Sequence, residues 1–96
     1  MINIDDLNNS YKRISNYLVD TPIVSSDSLN EKLNAKIFLK NEVEQLTGSF
    51  KIRGALSALS NLKNQGVKGV VAYSSGNHAQ GVSKAAQIFD MHAIIV

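Results

Sequence analysis

A single lysine and one small polar loop carry the chemistry this sequence offers. Lys51 stands in "TGSFKIRGA", residues 47–55, where Ser49 is placed to cap a helix that starts at Phe50. Lys51 and Arg53 then fall in the first turn, where the positive end of the helix dipole disfavours cations. On a helical wheel over residues 50–62, Ile52, Ala55, Leu56, Ala58, Leu59 and Leu62 share a broad apolar arc. Lys51 sits at the edge of that arc, toward packed structure or a cleft, and Arg53 lies on the opposite, polar side. Partial burial and the dipole would both disfavour the ammonium form. A neutral lysine amine is a nucleophile whose main use is Schiff-base formation with a carbonyl. The plainer alternative is a lysine that runs along the helix edge and extends its charge into water.

The second group is "AYSSGNHAQG", residues 72–81. Ser74, Ser75, Gly76 and Asn77 offer backbone amides and polar side chains where a helix begins, which is a ready site for a carboxylate or phosphate. Gly76 permits a tight turn or close approach of a ligand, and His78 lies in the first turn. The alternative is a capped helix in which Ser or Asn satisfies the free amides and His78 is an ordinary polar residue. The segment is neither a G-x-G-x-x-G fingerprint nor a P-loop. With only His78 and His92 and no cysteine, no metal site is expected.

These residues need elements to hold them. Apolar positions 4, 7, 11, 14, 17 and 18 have helical spacing, with acids early and cations late. "DTPIV" predicts a turn into a short extended piece, because Pro22 keeps Thr21 out of a helix. "SSDSLNEKLN" predicts a short polar helix, and "AKIFLKNE" a strand. Residues 50 to about 64 predict a helix that ends near Gly66, followed by a strand in "KGVVAYSS", a helix over 77 to about 89, and a strand in "HAIIV". From residue 36 the order strand, helix, strand, helix, strand predicts an α/β fold with a parallel sheet and flanking helices. Both motifs follow a strand and open a helix, where such sheets bind ligands.

Composition narrows the function classes. Hydrophobic residues make up 44% and charged residues 19%, which is ordinary for a globular domain. The net charge of +2 comes from scattered cations mixed with acids, so no nucleic-acid footprint is expected. The absence of cysteine removes disulfides and thiolate nucleophiles. The start, "MINIDDLNNSYK", has acids where a signal peptide needs cations, and the apolar runs are strand-sized, so the expectation is a cytoplasmic protein without a membrane span.

Taken together, the two motifs resemble the N-terminal part of fold-type II pyridoxal-phosphate enzymes, the serine/threonine dehydratase and serine racemase group. "DTPIV" and "IFLKNE" add lower-specificity matches, so the resemblance covers nearly the whole chain. It implies a partial tryptophan-synthase-β-like fold, with N-terminal helices and an extended segment over 1–35 and a βαβαβ part of the small domain over 36–96. It implies that Lys51 carries pyridoxal phosphate as a Schiff base and then accepts the substrate's α-proton. Phe50 would pack on the cofactor ring and Asn77 would hydrogen-bond its hydroxyl. Ser74, Ser75, Gly76, Asn77 and His78 would form the substrate-carboxylate site. Ser75 also matches the second proton-transfer residue of the racemases, where many threonine dehydratases have alanine.

The activity implied is an ammonia-lyase converting L-threonine or L-serine into a 2-keto acid and ammonia. The alternatives are a serine or aspartate racemase, or a 3-hydroxyaspartate dehydratase, on the same scaffold. The family's glycine-rich phosphate cradle, the partner of its pyridine nitrogen and its larger domain match no position here. The chain also stops inside the strand-like "MHAIIV", so it is expected to be a piece of a longer protein, inactive alone. A non-catalytic α/β fragment is the remaining alternative. Full-length members of the family are expected to act on small amino acids as homo-oligomers.

Overall fold

The computed structural model describes residues 1–96. The first helix, α1 (Ile4–Ile14), is fixed at its start by a capping box. The Asn3 side chain accepts the Asp6 amide at 3.0 Å, and the Asp6 carboxylate accepts the Asn3 amide at 2.9 Å. The helix stops four residues short of the apolar pattern, and a single 3₁₀ turn, Ser15–Tyr17, continues it. Of its apolar stripe only Ile14 is buried; Ile4, Leu7 and Tyr11 face outward.

An arm follows, made of β1 (Ile23–Val24), α2 (Asp27–Leu33) and β2 (Leu39–Lys40). Here the structure corrects the expected topology. The strand in "AKIFLKNE" is only two residues long, and it pairs antiparallel with β1, Ile23 opposite Lys40 and Val24 opposite Leu39. It does not join the parallel sheet. Side chains complete the pairing: the Asn30 carbonyl oxygen accepts the Ile37 amide at 2.9 Å, and Ser25 Oγ donates to the Ile37 carbonyl at 2.8 Å.

The remaining elements alternate as expected: α3 (Lys51–Asn64), β3 (Gly69–Ala72), α4 (Asn77–Ile88) and β4 (His92–Ile95). β3 and β4 pair in parallel, Gly69 beside His92 through Ala72 beside Ile95. The two helices end in the same way. After α3, Gly66 takes a left-handed φ of 80°, while the Val67 amide reaches the Leu62 carbonyl and the Gly66 amide the Lys63 carbonyl. After α4, Asp90 takes the same role at φ 52°, with Met91 bonded to Ala86 and Asp90 to Gln87.

The core lies where α3 and α4 pack on each other and on β3. Ile52 and Leu56 are fully buried, joined by Ala55, Leu59, Ala72, Val82, Ala85, Ala86 and Met91, with Ile14 of α1 at its margin. Apolar surface also stays uncovered on the sheet, at Val71, Ile94 and Val96, and on the arm, at Ile23, Phe38 and Leu39. The radius of gyration is 16.0 Å, against about 12–13 Å for a compact domain of this length. The accessible surface is 6838 Å², where a compact monomer of this mass exposes about 5,400 Å².

Candidate active site

The loop that delivers Lys51 is held by polar contacts. Gln45 is buried, and its side chain acts like a short piece of sheet: Oε1 accepts the Val19 amide at 2.9 Å, and Nε2 donates to the Val19 carbonyl at 3.0 Å. Glu42 receives the Thr21 hydroxyl at 2.6 Å and a bidentate grip from Arg53, with Nε at 2.8 Å and Nη2 at 2.7 Å. The Arg53 guanidinium, hydrogen-bonded to it, is the main cause that holds the Glu42 carboxyl down at about 2, with the Thr21 hydroxyl assisting and burial opposing. The same pairing raises Arg53 further above its ordinary value. The segment "DTPIV" and the loop before Lys51 are thus tied into one unit.

Helix α3 starts at Lys51, one residue later than expected, with Phe50 as the cap residue. Ser49 still serves the helix: its buried hydroxyl accepts the Lys51 amide at 3.4 Å. Lys51 itself is exposed, so the partial burial expected from the helical wheel is corrected. The wheel placed it at the rim of the apolar arc, and the rim faces open space. Its Nζ lies 5.1 Å from the centre of the neighbouring Phe50 ring, within range of a cation–π contact. Arg53, on the polar side of the wheel, meets Glu42, and it also borders the cleft that Lys51 lines.

Lys51 and Phe50 border an open cleft of about 500 Å³. Small residues at one helix face leave this space: Gly54, Ala55 and Ala58 of α3 line it, opposite Val70–Ala72 of β3. α4 contributes His78 and Val82 to the same wall. Residues of both motifs, Lys51 and His78 among them, therefore border one shared cavity.

The other motif residues form the loop that leads into α4. Ser74 is half-buried, and Ser75, Gly76, Asn77 and His78 are exposed. None of Ser74 to Asn77 lines the cleft. The Ser74 hydroxyl accepts the Gly76 amide at 3.3 Å, before the helix begins. The cap residue of α4 is Gly76, and no side chain caps the helix. The capped-helix alternative is thus not realised, and α4 presents unpaired amides at its positive end. The Ser75 side chain makes no hydrogen bond within the chain.

The sequence and fold that carry this cleft have close counterparts among known proteins. Residues 14–96 match the pyridoxal-phosphate dependent enzyme family. The chain belongs to that family. It is 42% identical over 92 residues to an L-threo-3-hydroxyaspartate ammonia-lyase of Saccharomyces cerevisiae, covering 95% of this chain and 28% of that protein. It is 45% identical over 97 residues to an L-threonine ammonia-lyase of Thermotoga maritima, covering 100% of this chain and 24% of that protein. Its structure matches maize serine racemase with a TM-score of 0.88 at 42% identity, over 96% of this chain and 29% of that one. The chain spans under a third of the length of these relatives. The α/β architecture is accordingly part of the fold-type II pyridoxal-phosphate enzyme fold.

The residues present fit the family's cofactor on one side. An exposed primary amine suits its aldehyde, the adjoining Phe50 and the open cleft suit a flat ring, and free helix amides suit an anionic group. The sequence reading missed Glu42, Gln45 and Thr21, which hold the lysine loop. Only the acid–base pairing of Glu42 with Arg53 had a signal, and it was too far apart in the chain, eleven residues, to be singled out.

Proposed function

We propose that this chain is the lysine-bearing part of an amino-acid ammonia-lyase that converts L-threonine or L-serine into a 2-keto acid and ammonia. The observation that carries the reading is the shared cleft, bordered by Lys51 and by His78 of the first turn of uncapped α4. Pyridoxal phosphate, when bound, supplies the electron sink that stabilises negative charge at the substrate's Cα. The chain's own residues do the rest. Lys51 Nζ would hold the cofactor aldehyde, and its free amine would serve as the base that takes the α-proton. Phe50 offers a flat face to the cofactor ring, and Asn77 offers a donor for the ring hydroxyl. The amides opening α4, with Ser74, Ser75, Gly76 and His78 around them, bind the substrate carboxylate at the positive end of the helix.

A second reading, racemisation, has one observation in its favour. The Ser75 hydroxyl is exposed and unpaired within the chain, so it is free to return a proton to Cα from the face opposite Lys51. In that case the product is the mirror-image amino acid. Within either reading, residues 36–96 contribute to the small domain of the longer enzyme.

The test is covalent trapping. The protein is mixed with pyridoxal phosphate, reduced with borohydride and digested, and the labelled peptide is identified by mass spectrometry. The label is expected on Lys51, and Lys51→Ala is expected to lose it; a label spread evenly over the surface lysines overturns the reading. With the complete enzyme, 2-keto acid release from L-threonine supports the lyase, and formation of D-serine from L-serine without keto acid supports the racemase.

A further inference from the structure

Gly81 closes the motif "SSGNHAQG" but belongs to none of the roles above. It is buried on α4, four residues after Asn77. A β-carbon at this position would lie 3.2 Å from both the carbonyl carbon and the carbonyl oxygen of Lys51, and 3.3 Å from the Ile52 nitrogen. These are backbone atoms of the first turn of α3. They have no rotamer by which to step aside, so the helices themselves must separate by a few tenths of an ångström. Glycines elsewhere in the two motifs are different: a β-carbon at Gly54 or Gly76 meets nothing within 4 Å. Gly48, the remaining glycine of the two motifs, has its nearest atom at 3.9 Å, so within the motifs the close approach is made by Gly81 alone, to the one peptide unit that joins Lys51 to the core residue Ile52.

We propose that Gly81 is a positioning residue for Lys51. Its missing side chain lets α4 seat against the Lys51–Ile52 peptide, and that contact sets the distance between the lysine and the loop at 74–78. The two motifs lie far apart in the chain but are registered to each other here by backbone contact. The registration matters because reacting groups lose effectiveness steeply when displaced by fractions of an ångström to an ångström. The role rests on reading Lys51 as the cofactor lysine, so its test includes a measurement that needs no cofactor.

The variants are Gly81→Ala and Gly81→Val, with Ala86→Gly as a comparably destabilised control in the same helix, away from the cleft. Borohydride trapping should place about threefold less pyridoxal phosphate on Lys51 in Gly81→Ala and about tenfold less in Gly81→Val, relative to the other lysines, while Ala86→Gly keeps the original pattern. Amide hydrogen exchange at Lys51, Ile52 and Arg53 should quicken in the Gly81 variants and not in the control. Folded Gly81 variants with unchanged trapping and unchanged exchange overturn the proposal. If the unsubstituted protein shows no preference for Lys51 in trapping, the functional reading fails, and the exchange result still decides the role of Gly81. Should both Gly81 variants fail to fold, a nuclear Overhauser contact between the Gly81 α-protons and the Ile52 amide in the unsubstituted protein decides: its presence supports the seating, and its absence overturns it.

Discussion

α3 begins behind a tied-down loop, and α4 begins almost bare. At the start of α3, Ser49 accepts the Lys51 amide, Arg53 grips Glu42, and Gln45 pins the loop to Val19. Two cations occupy the first turn against the dipole. At the start of α4, Gly76 contributes no side chain, no acidic residue lies in the first turn, and, as at α3, no side chain caps the helix; no ion pair or buried side-chain amide ties down the loop before it. A helix designed only for stability would be built the other way round, with an acceptor or acid at each start, as α1 is. The difference matches the tasks proposed for the two starts. In the proposed function, one start would hold an amine in place by means of neighbours, and the other would leave its amides free for an anionic guest.

The comparison is most easily broken at α3. Glu42→Gln leaves the half-buried Arg53 without its carboxylate, and unfolding in urea should show a loss of about 2 kcal/mol. The pH dependence gives an independent sign. Glu42 is held below its ordinary 4.5, at about 2, so the stability it contributes is complete above about pH 4.5 and is lost as the pH falls toward 2. Acid unfolding of Glu42→Gln should lack that limb, and an unchanged acid profile would show that the ion pair does not tie the loop.

Ser49→Ala tests the hydroxyl that accepts the first amide of the same helix. The bond is long, 3.4 Å, so the expected loss is about 0.5–1 kcal/mol, read from thermal unfolding. Faster amide exchange at Lys51 should accompany it. The smallest effect sharpens the contrast from the other side. Gly76→Asp would give α4 the carboxylate cap it lacks, and space is open there. It should raise stability by a few tenths of a kcal/mol. It should also weaken the binding of inorganic phosphate, followed by the amide shifts of Asn77 and His78. Gain of stability with phosphate binding unchanged would show that these amides hold no anion.

Much of this molecule could be read locally. The helical period of residues 50–62 marks α3 and its buried face, and Gly66 marks its end because glycine alone adopts the left-handed turn without cost. The end of α4 was less visible, since Asp90 takes the same conformation without glycine's signature. Lys51, Ser75 and the polar loop were recognisable as two motifs. The cleft that Lys51 shares with His78 was not, because it depends on the small residues Gly54, Ala55 and Ala58 facing β3.

What followed from the chain alone was whatever depends on near neighbours: periodicity, caps, turn residues and the identity of the two motifs. Partners far along the chain were decided only by the tertiary structure. "AKIFLKNE" has strand character for either sheet, and nothing within it says that Leu39–Lys40 will pair antiparallel with Ile23–Val24. Arg53 is polar on any helical wheel, but its seat on Glu42 depends on where the loop closes. The narrowest case is Gly81, whose small size has a reason only once α4 lies against the backbone of Lys51. Short-range energetics select each element, whereas strand pairing, ion-pair geometry and backbone contact arise only when distant segments compete for the same space.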